Sequence, residues 1–254
     1  MPEPCPDSEG RYVRLMTGSR DFPVSVRVHR YVEGTLVRRP VDSGVARQAG
    51  LGLAAIQNIG VRSGLSAPMK QLWQTADDSL LRRFQRRWPD IGVDRGRVLH
   101  DAERIAAERA PGARPSPSHC DHKPENCLIN DGVLHVLDWD EAGCCDPRIE
   151  VVESGLRWSW TAEGTPDPGL FASFARGYRA GGRPFPPLRE RDWAKWIADL
   201  GSWYEFQARC SLGECSAVAR APGAAASAAA EALQGLARTL QHIPEWCAAI
   251  NDRL

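Results

Sequence analysis

The sequence predicts an α+β protein, in which a short β-rich N-terminal region precedes a long, mainly helical remainder with one tight β-hairpin set into it. Three observations carry this. Arg11–Met16 and Val24–Val32 alternate apolar and polar residues with a period of two, the pattern of half-buried strands. From Pro40 onward the apolar residues recur at three- and four-residue spacing, the pattern of helices with one buried stripe. Between two short apolar runs, Cys127–Ile129 and Val133–Leu137, stands Asn130-Asp131-Gly132. Asp-Gly accepts the positive backbone angles of a tight turn, so these runs read as the arms of a hairpin.

Taken in order, the prolines at 2, 4 and 6 exclude a helix at the start. The alternating segments follow as two antiparallel strands, with 17–21 as the loop between them. Ser43 is expected to cap a first helix whose buried stripe is Val45, Ala49, Leu53 and Ile56. A second helix spans Met69–Trp88, with Leu72, Ala76, Leu80 and Phe84 inward and Arg82, Arg83, Arg86 and Arg87 on a solvated face. Asp94 caps a third, carrying Val98, Ala102, Ile105 and Ala106 and ending before Pro111. Pro111–Ser118 reads as a loop.

After the hairpin a helix covers Ile149–Trp160 and is broken by Glu163–Pro168. Another follows from Phe171. In Arg189–Phe206 the residues Trp193, Trp196, Leu200 and Trp203 form an expected core stripe. The alanine-rich run 221–230 leads into Leu233, Leu236 and Leu240, a terminal packing helix placed before Pro244.

The hairpin organises the chemistry. A hairpin returns the chain to where it began, so Asn126, entering the first strand, and Asp138, leaving the second, should lie about 5 Å apart. Asp121 is on the loop feeding the same edge. Three oxygen-bearing side chains thus converge, which suits a hard cation such as Mg²⁺ held by one or two carboxylates and the phosphates of a substrate.

The order His119-x-Asp121-x-x-x-x-Asn126, then a hairpin, then Asp138, resembles the catalytic and metal loops of the protein-kinase-like superfamily. Leu137-Asp138-Trp139-Asp140, followed by Ala142-Gly143 and Asp146-Pro147, resembles more specifically the aminoglycoside phosphotransferase family, as does the segment Phe171–Tyr178, which contains Phe174-x-x-Gly177-Tyr178, with Gly181-Gly182. The resemblance implies a protein-kinase-like fold with a truncated N-terminal β lobe (1–34) and a mainly helical C-terminal lobe (35–254). It also implies transfer of the γ-phosphate of ATP to a small-molecule hydroxyl. By position, Asp121 would accept the hydroxyl proton, Asn126 and Asp138 would hold Mg²⁺, His119 would brace the loop, and Lys123 would stand near the transferred phosphate. Tyr31, Val32 and Glu33, ending on Gly34, resemble the hinge whose backbone hydrogen-bonds adenine. A plain hairpin with a glycine stop fits those residues as well, and their position ahead of the catalytic loop favours the hinge.

The family's small lobe also carries a Gly-rich phosphate loop, a strand lysine and a helix glutamate that pairs with it. Before Tyr31 this sequence has neither a lysine nor a Gly-rich loop. The first residues resemble the entry to the family's fourth strand, so the chain is expected to begin after the parts that grip ATP. Two other readings follow: a catalytically impaired binding module, and a zinc-binding protein. For the last, Cys120, His122, Cys127, Cys144 and Cys145 crowd the central motif. However, there is no C-x-x-C pair, and adjacent Cys144 and Cys145 suit tetrahedral chelation poorly. Small buried residues packing the loop is the better account of them.

Composition sets the outer bounds. Lys+Arg 32 balance Asp+Glu 32, which excludes a general nucleic-acid binder. No apolar run approaches the ~20 residues of a membrane span, and the N-terminus lacks a signal-peptide pattern, so a cytoplasmic protein with reduced cysteines is expected. By the resemblance, the acceptor pocket should be lined from Glu153–Trp160 and Trp193–Glu205. Those stretches mix Glu153, Asp199 and Glu205 with Arg157 and tryptophans, a poor match to a polycationic acceptor. A neutral or mildly polar hydroxyl compound fits them better.

Overall fold

The computed structural model describes residues 3–17, 23–64, 78–89, 95–107, 115–215 and 221–254. The N-terminal region is β-structured in two small antiparallel pairs. Strand β2 (Arg14–Thr17) pairs with β3 (Pro23–Val26) in the register Arg14↔Val26 and Met16↔Val24, the hairpin expected from the alternation. Most of the expected loop at its tip lies outside the described residues. The second expected strand is not continuous. It stops at Val26, and Val28–His29 (β4) turns away to pair with Pro4–Cys5 (β1).

The segment Tyr31–Gly34 then leads into β5 (Thr35–Leu36), which joins the central hairpin, β7 (Cys127–Asn130) and β8 (Val133–Val136), in a three-stranded sheet of order β5-β7-β8. Gly34 is required at this junction. A Cβ there would meet the Leu128 side chain at 2.6 Å and the Ile129 carbonyl at 2.7 Å. In the hairpin, Asp131 (φ 48°) and Gly132 (φ 75°) are both left-handed and Asn130 faces Val133, so the turn is the two-residue form that Asp-Gly favours. The stretch expected as a loop before His119 ends instead in a strand, β6 (Ser116–Ser118), paired with β9 (Gly143–Cys145). A three-residue strand centred on a proline has no periodicity to read; its partner 27 residues away creates it.

Helix α1 (Ser43–Ser63) is capped by Asp42, one residue earlier than expected, whose carboxylate accepts from the amides of Gly44 at 2.8 Å and Val45 at 2.9 Å. Its buried face is narrow and small: Ala46, Ala49, Gly50, Leu53, Ala54, Gln57 and Gly60, with Val45 and Ile56 at the margin. That face allows α5 (Pro168–Ala180) to approach backbone to backbone, since a Cβ on Gly50 would sit 2.0 Å from the Phe174 carbonyl. In α2 (Asp78–Arg87) Leu80 and Phe84 are buried and the arginine face is exposed, as expected. Leu72 and Ala76, and the proposed cap Asp94 before α3 (Arg95–Ala107), lie outside the described residues.

Helices α4 (Pro147–Ser159), α5 and α6 (Ala194–Ser211) surround a core of Trp158, Phe171, Phe174, Trp193, Ile197 and Tyr204. Trp203 departs from the expected stripe. It is 45% exposed and stacks on Phe206, about 100° around the helix from the buried Tyr204. Helix α7 (Pro222–Asn251) runs straight past Pro244 rather than ending there. Burial of Ile243, Trp246, Cys247 and Ile250 outweighs the one backbone bond a proline removes. The expectation of fully reduced cysteines fails at one place: Cys210 and Cys215 form a disulfide where the end of α6 brings their Cα atoms to 4.7 Å. Among the described residues, no helix is long and apolar enough to cross a membrane.

Candidate active site

The site grows from the end of the hairpin. The Leu137 amide donates to the Asn126 carbonyl at 2.8 Å, one rung beyond the Cys127↔Val136 pair, so Asp138 leaves β8 directly beside Asn126. Asn126 ends a short 3-10 turn (Pro124–Asn126) and is buried, while Asp138 is exposed with a left-handed backbone (φ 55°). A non-glycine residue in that region is strained by about 1 kcal/mol or more, and such strain gathers at functional sites.

Asn126 Nδ2 donates to Asp121 Oδ2 at 2.8 Å and to the Asp121 carbonyl at 3.0 Å, and Lys123 Nζ donates to Asp121 Oδ2 at 2.7 Å. Asp121, Lys123 and Asn126 are therefore one cluster. With its nitrogen committed to Asp121, Asn126 presents its amide oxygen as the atom able to meet a cation. His119, fully buried, ties the loop to the hairpin. Its Nε2–H donates to the Leu137 carbonyl at 2.8 Å and its Nδ1 accepts the Asp121 amide at 3.3 Å, two bonds that together fix one tautomer. One ring thus orients both the residue before Asp138 and Asp121 itself, while Trp139 meets it edge-on at 4.7 Å.

Cys120 lies between these residues with φ 64°, and its amide donates at 2.8 Å to Glu150 Oε1, a fully buried carboxylate on α4. His122 points the other way, into the helical core, where Nδ1 is 2.8 Å from Ser154 Oγ and Trp158 Nε1 is 3.2 Å away. Burial, with His119 beside it, lowers the His122 pKa to about 3, so the ring is neutral and structural. Tyr31, Val32 and Glu33 lie on the connection into β5. Tyr31 is 84% exposed, and the strand that follows pairs with Leu128 and Ile129 of the hairpin.

A second constellation, not anticipated as such from sequence, spans α4 and α6. Arg157 Nε donates to Glu153 Oε1 at 2.7 Å and Arg157 Nη2 reaches Asp199 at 3.3 Å; Lys195 Nζ donates to Asp199 at 2.8 Å and stands 3.6 Å from Glu153 Oε2. Glu153 is 1% exposed, and burial holds its carboxyl above the ordinary glutamate value although Lys195 and Arg157 oppose this. Burial acts to raise Asp199 as well, but the same two cations outweigh it and hold Asp199 low. Lys195 is kept above the ordinary lysine value, its burial outweighed by Glu153 and Asp199. The Arg157 guanidinium lies 4.8 Å from the centre of the Trp196 ring, which packs on Trp160, and its field reaches Asp121. The four-residue spacings Glu153/Arg157 and Lys195/Asp199 were the readable signal; that the two pairs face each other was not.

A family model described as the phosphotransferase enzyme family (APH) matches residues 11–198, close to three quarters of the chain, including Asp121, Lys123, Asn126 and Asp138. The chain belongs to this family. Among solved structures, the microcompartment-associated aminopropanol kinase superposes with TM-score 0.65 at 17% identity, covering 100% of this chain and 78% of its own. Spectinomycin phosphotransferase APH(9)-Ia, in complex with ADP and spectinomycin, gives TM-score 0.60 at 12% identity, with 100% and 78% coverage. The amicoumacin kinase hAmiN, in complex with AMP-PNP, Ca²⁺ and its substrate, gives 0.60 at 14% identity, with 96% and 72% coverage. At these identities the likeness establishes the fold. No curated protein matches the chain in sequence. The APH-family chain thus combines a mixed α/β kinase-like fold, helical in its C-terminal lobe, with membership of a family of phosphotransferase enzymes.

Proposed function

We propose that this APH-family protein transfers the terminal phosphoryl group of ATP to a hydroxyl of a small molecule. The observation that carries the reading is the gathering of Asp121, Asn126 and Asp138 at one end of the hairpin, locked by His119. Asp121 accepts the acceptor's hydroxyl proton as that oxygen attacks. Lys123 holds the Asp121 carboxylate in place and adds positive charge beside the transferring group. The donor set fits Mg²⁺, since the Asn126 amide oxygen and the exposed Asp138 carboxylate are hard oxygen ligands. Bound there, the ion would neutralise the charge on the phosphates. In such chemistry the protein acts by positioning and electrostatics more than by covalent steps. The direct test is ADP release in the presence of MgATP and candidate hydroxyl acceptors, where acceptor-dependent release supports the reading and its absence across the panel argues against it.

The acceptor we favour is neutral or mildly polar. Glu153, Asp199, Arg157 and Lys195 already balance one another, which leaves no uncompensated acid in this network for a polyamine, and the half-buried Trp160, packed on the buried Trp196, offers aromatic surface. A thermal-shift panel of aminoglycosides, sugars, amino alcohols and macrolides tests this. Saturable stabilisation by kanamycin-like compounds alone would overturn it.

The 254-residue chain is also expected to hold nucleotide weakly. Before Lys70 it has no lysine, so the residues 1–34, read as a small-lobe remnant with the hinge Tyr31–Glu33, offer backbone contacts to adenine but no ammonium for the α- and β-phosphates. Calorimetry should give a Kd for MgATP of about 1 mM or weaker, against a micromolar value if an unassigned residue supplies the grip.

A further inference from the structure

Five Cys and His residues crowd the central motif in sequence, and the fold sorts them. His122 is buried against Ser154 and Trp158, and Cys127 faces the core from β7. Cys144 is buried in β9 opposite Pro117. Only Cys120 and Cys145 come together, and they are joined by a residue from outside the motif, Glu150 on α4. Their two sulfurs and the carboxylate oxygen all lie within 4.8 Å of one another, and all three residues are buried. Cys145 Sγ donates to Glu150 Oε2 at 3.3 Å.

We propose that Cys120, Cys145 and Glu150 form a binding site for a thiophilic divalent cation of the zinc class, placed directly behind the catalytic loop. The carboxylate is the feature that separates this cluster from an ordinary buried cysteine pair. Glu150 is 0% exposed, accepts from Gln57 Nε2 at 2.7 Å and from the Cys120 amide at 2.8 Å, and has no ion pair with a lysine or arginine among the described residues. A buried carboxylate without a counter-cation is costly, and a divalent ion beside it removes the cost. Two thiolates and a carboxylate are a zinc donor set, and tetrahedral bonds of about 2.0–2.3 Å place neighbouring ligand atoms about 3.3–3.8 Å apart, so the three atoms need to close by roughly 1.5 Å at most. The Gly143 carbonyl, 3.4 Å from Cys120 Sγ, is available for the fourth position. Binding replaces two S–H bonds by two metal–sulfur bonds and releases two protons to solvent. The soft sulfur ligands select against Mg²⁺, so this site is chemically distinct from the oxygen pair Asn126 and Asp138. A bound ion would clamp the left-handed turn at Cys120 to β9 and α4, and through that turn position Asp121.

The test is titration of the full chain, stripped with a chelator and kept under a phosphine reductant, with Co²⁺. We expect one equivalent to produce thiolate-to-cobalt charge-transfer absorption, to be displaced by Zn²⁺ and to be unaffected by excess Mg²⁺. Cys145→Ser should weaken binding by about 100-fold or more, since even loss of an outer-shell partner costs about 10–100-fold. Cys144→Ser, one residue away, should leave it unchanged. Absence of the charge-transfer band in the folded wild-type chain overturns the proposal, whatever the variants do. So does a band that survives Cys145→Ser, or one that is lost equally in a folded Cys144→Ser. Mass-spectrometric recovery of a Cys120–Cys145 disulfide from reduced protein that takes up no Co²⁺ would also overturn it, and would identify the pair as redox partners instead.

Discussion

Replacing Asp138 by asparagine is expected to lower turnover by about 10³-fold or more, a loss of about 4 kcal/mol of transition-state stabilisation. The substitution keeps shape and removes one charge from the proposed Mg²⁺ position. Asp138 is exposed at the end of β8, so its folding role is small and thermal stability should hardly move. Asp121→Ala, which removes the proposed base, is expected to cost about 10²–10⁴-fold by the usual range for general-base catalysis. It also strips Asn126 Nδ2 and Lys123 Nζ of a partner, so part of its effect will come through misplacement of those groups. Both are measured as ADP release with an acceptor found in the panel. If either variant retains most of the wild-type rate, the assignment of that residue is wrong, and if both do, the hairpin end is not the catalytic centre.

The largest expected effect on stability comes from the ion network. Lys195→Met should destabilise the fold by about 3–5 kcal/mol, because it leaves Glu153 buried with one cation instead of two. The double variant Lys195→Met, Glu153→Gln should recover much of that loss, since a neutral amide no longer needs the missing charge. The pH dependence follows from the sign of the Glu153 shift. Its folded-state value is already raised by burial, and losing Lys195 raises it further, so the destabilisation of Lys195→Met should shrink as pH falls toward that raised value and widen above it. Urea unfolding across a pH series measures this. A deficit below about 1 kcal/mol at neutral pH would mean that solvent reaches Glu153 and that the four charges are coupled only weakly.

How far the site could be read in advance depended on the range of the forces that build it. Asp131-Gly132 encodes its turn in its own backbone preferences, so the hairpin and its register, which brings Leu137 opposite Asn126, were legible. The helical stripes of α1 and α3, and Leu80 and Phe84 of α2, were legible too, because a period of three to four residues is local. Trp203 was misplaced by the same reasoning, since periodicity says that an aromatic is near a buried face but not which neighbour it will meet. Pro244 was read as a stop because its effect on the backbone is local, while the packing of Trp246 and Ile250 that carries α7 past it is not.

The sequence by itself determined the tight turn, the order of the acidic and amide groups around it, the charge balance and the run of helices that follows, since each of these rests on contacts within a few residues. Only the tertiary structure decided which groups share a buried space. It selected Cys120 and Cys145 from among the central cysteines and brought Glu150 to them. It set Glu153 and Arg157 of α4 against Lys195 and Asp199 of α6, and it made strands of Ser116–Ser118 and Gly143–Cys145. The physical reason is the same in each case. Burying a charge or an unpaired strand is costly in isolation and becomes favourable only when a partner distant in the chain is held opposite it.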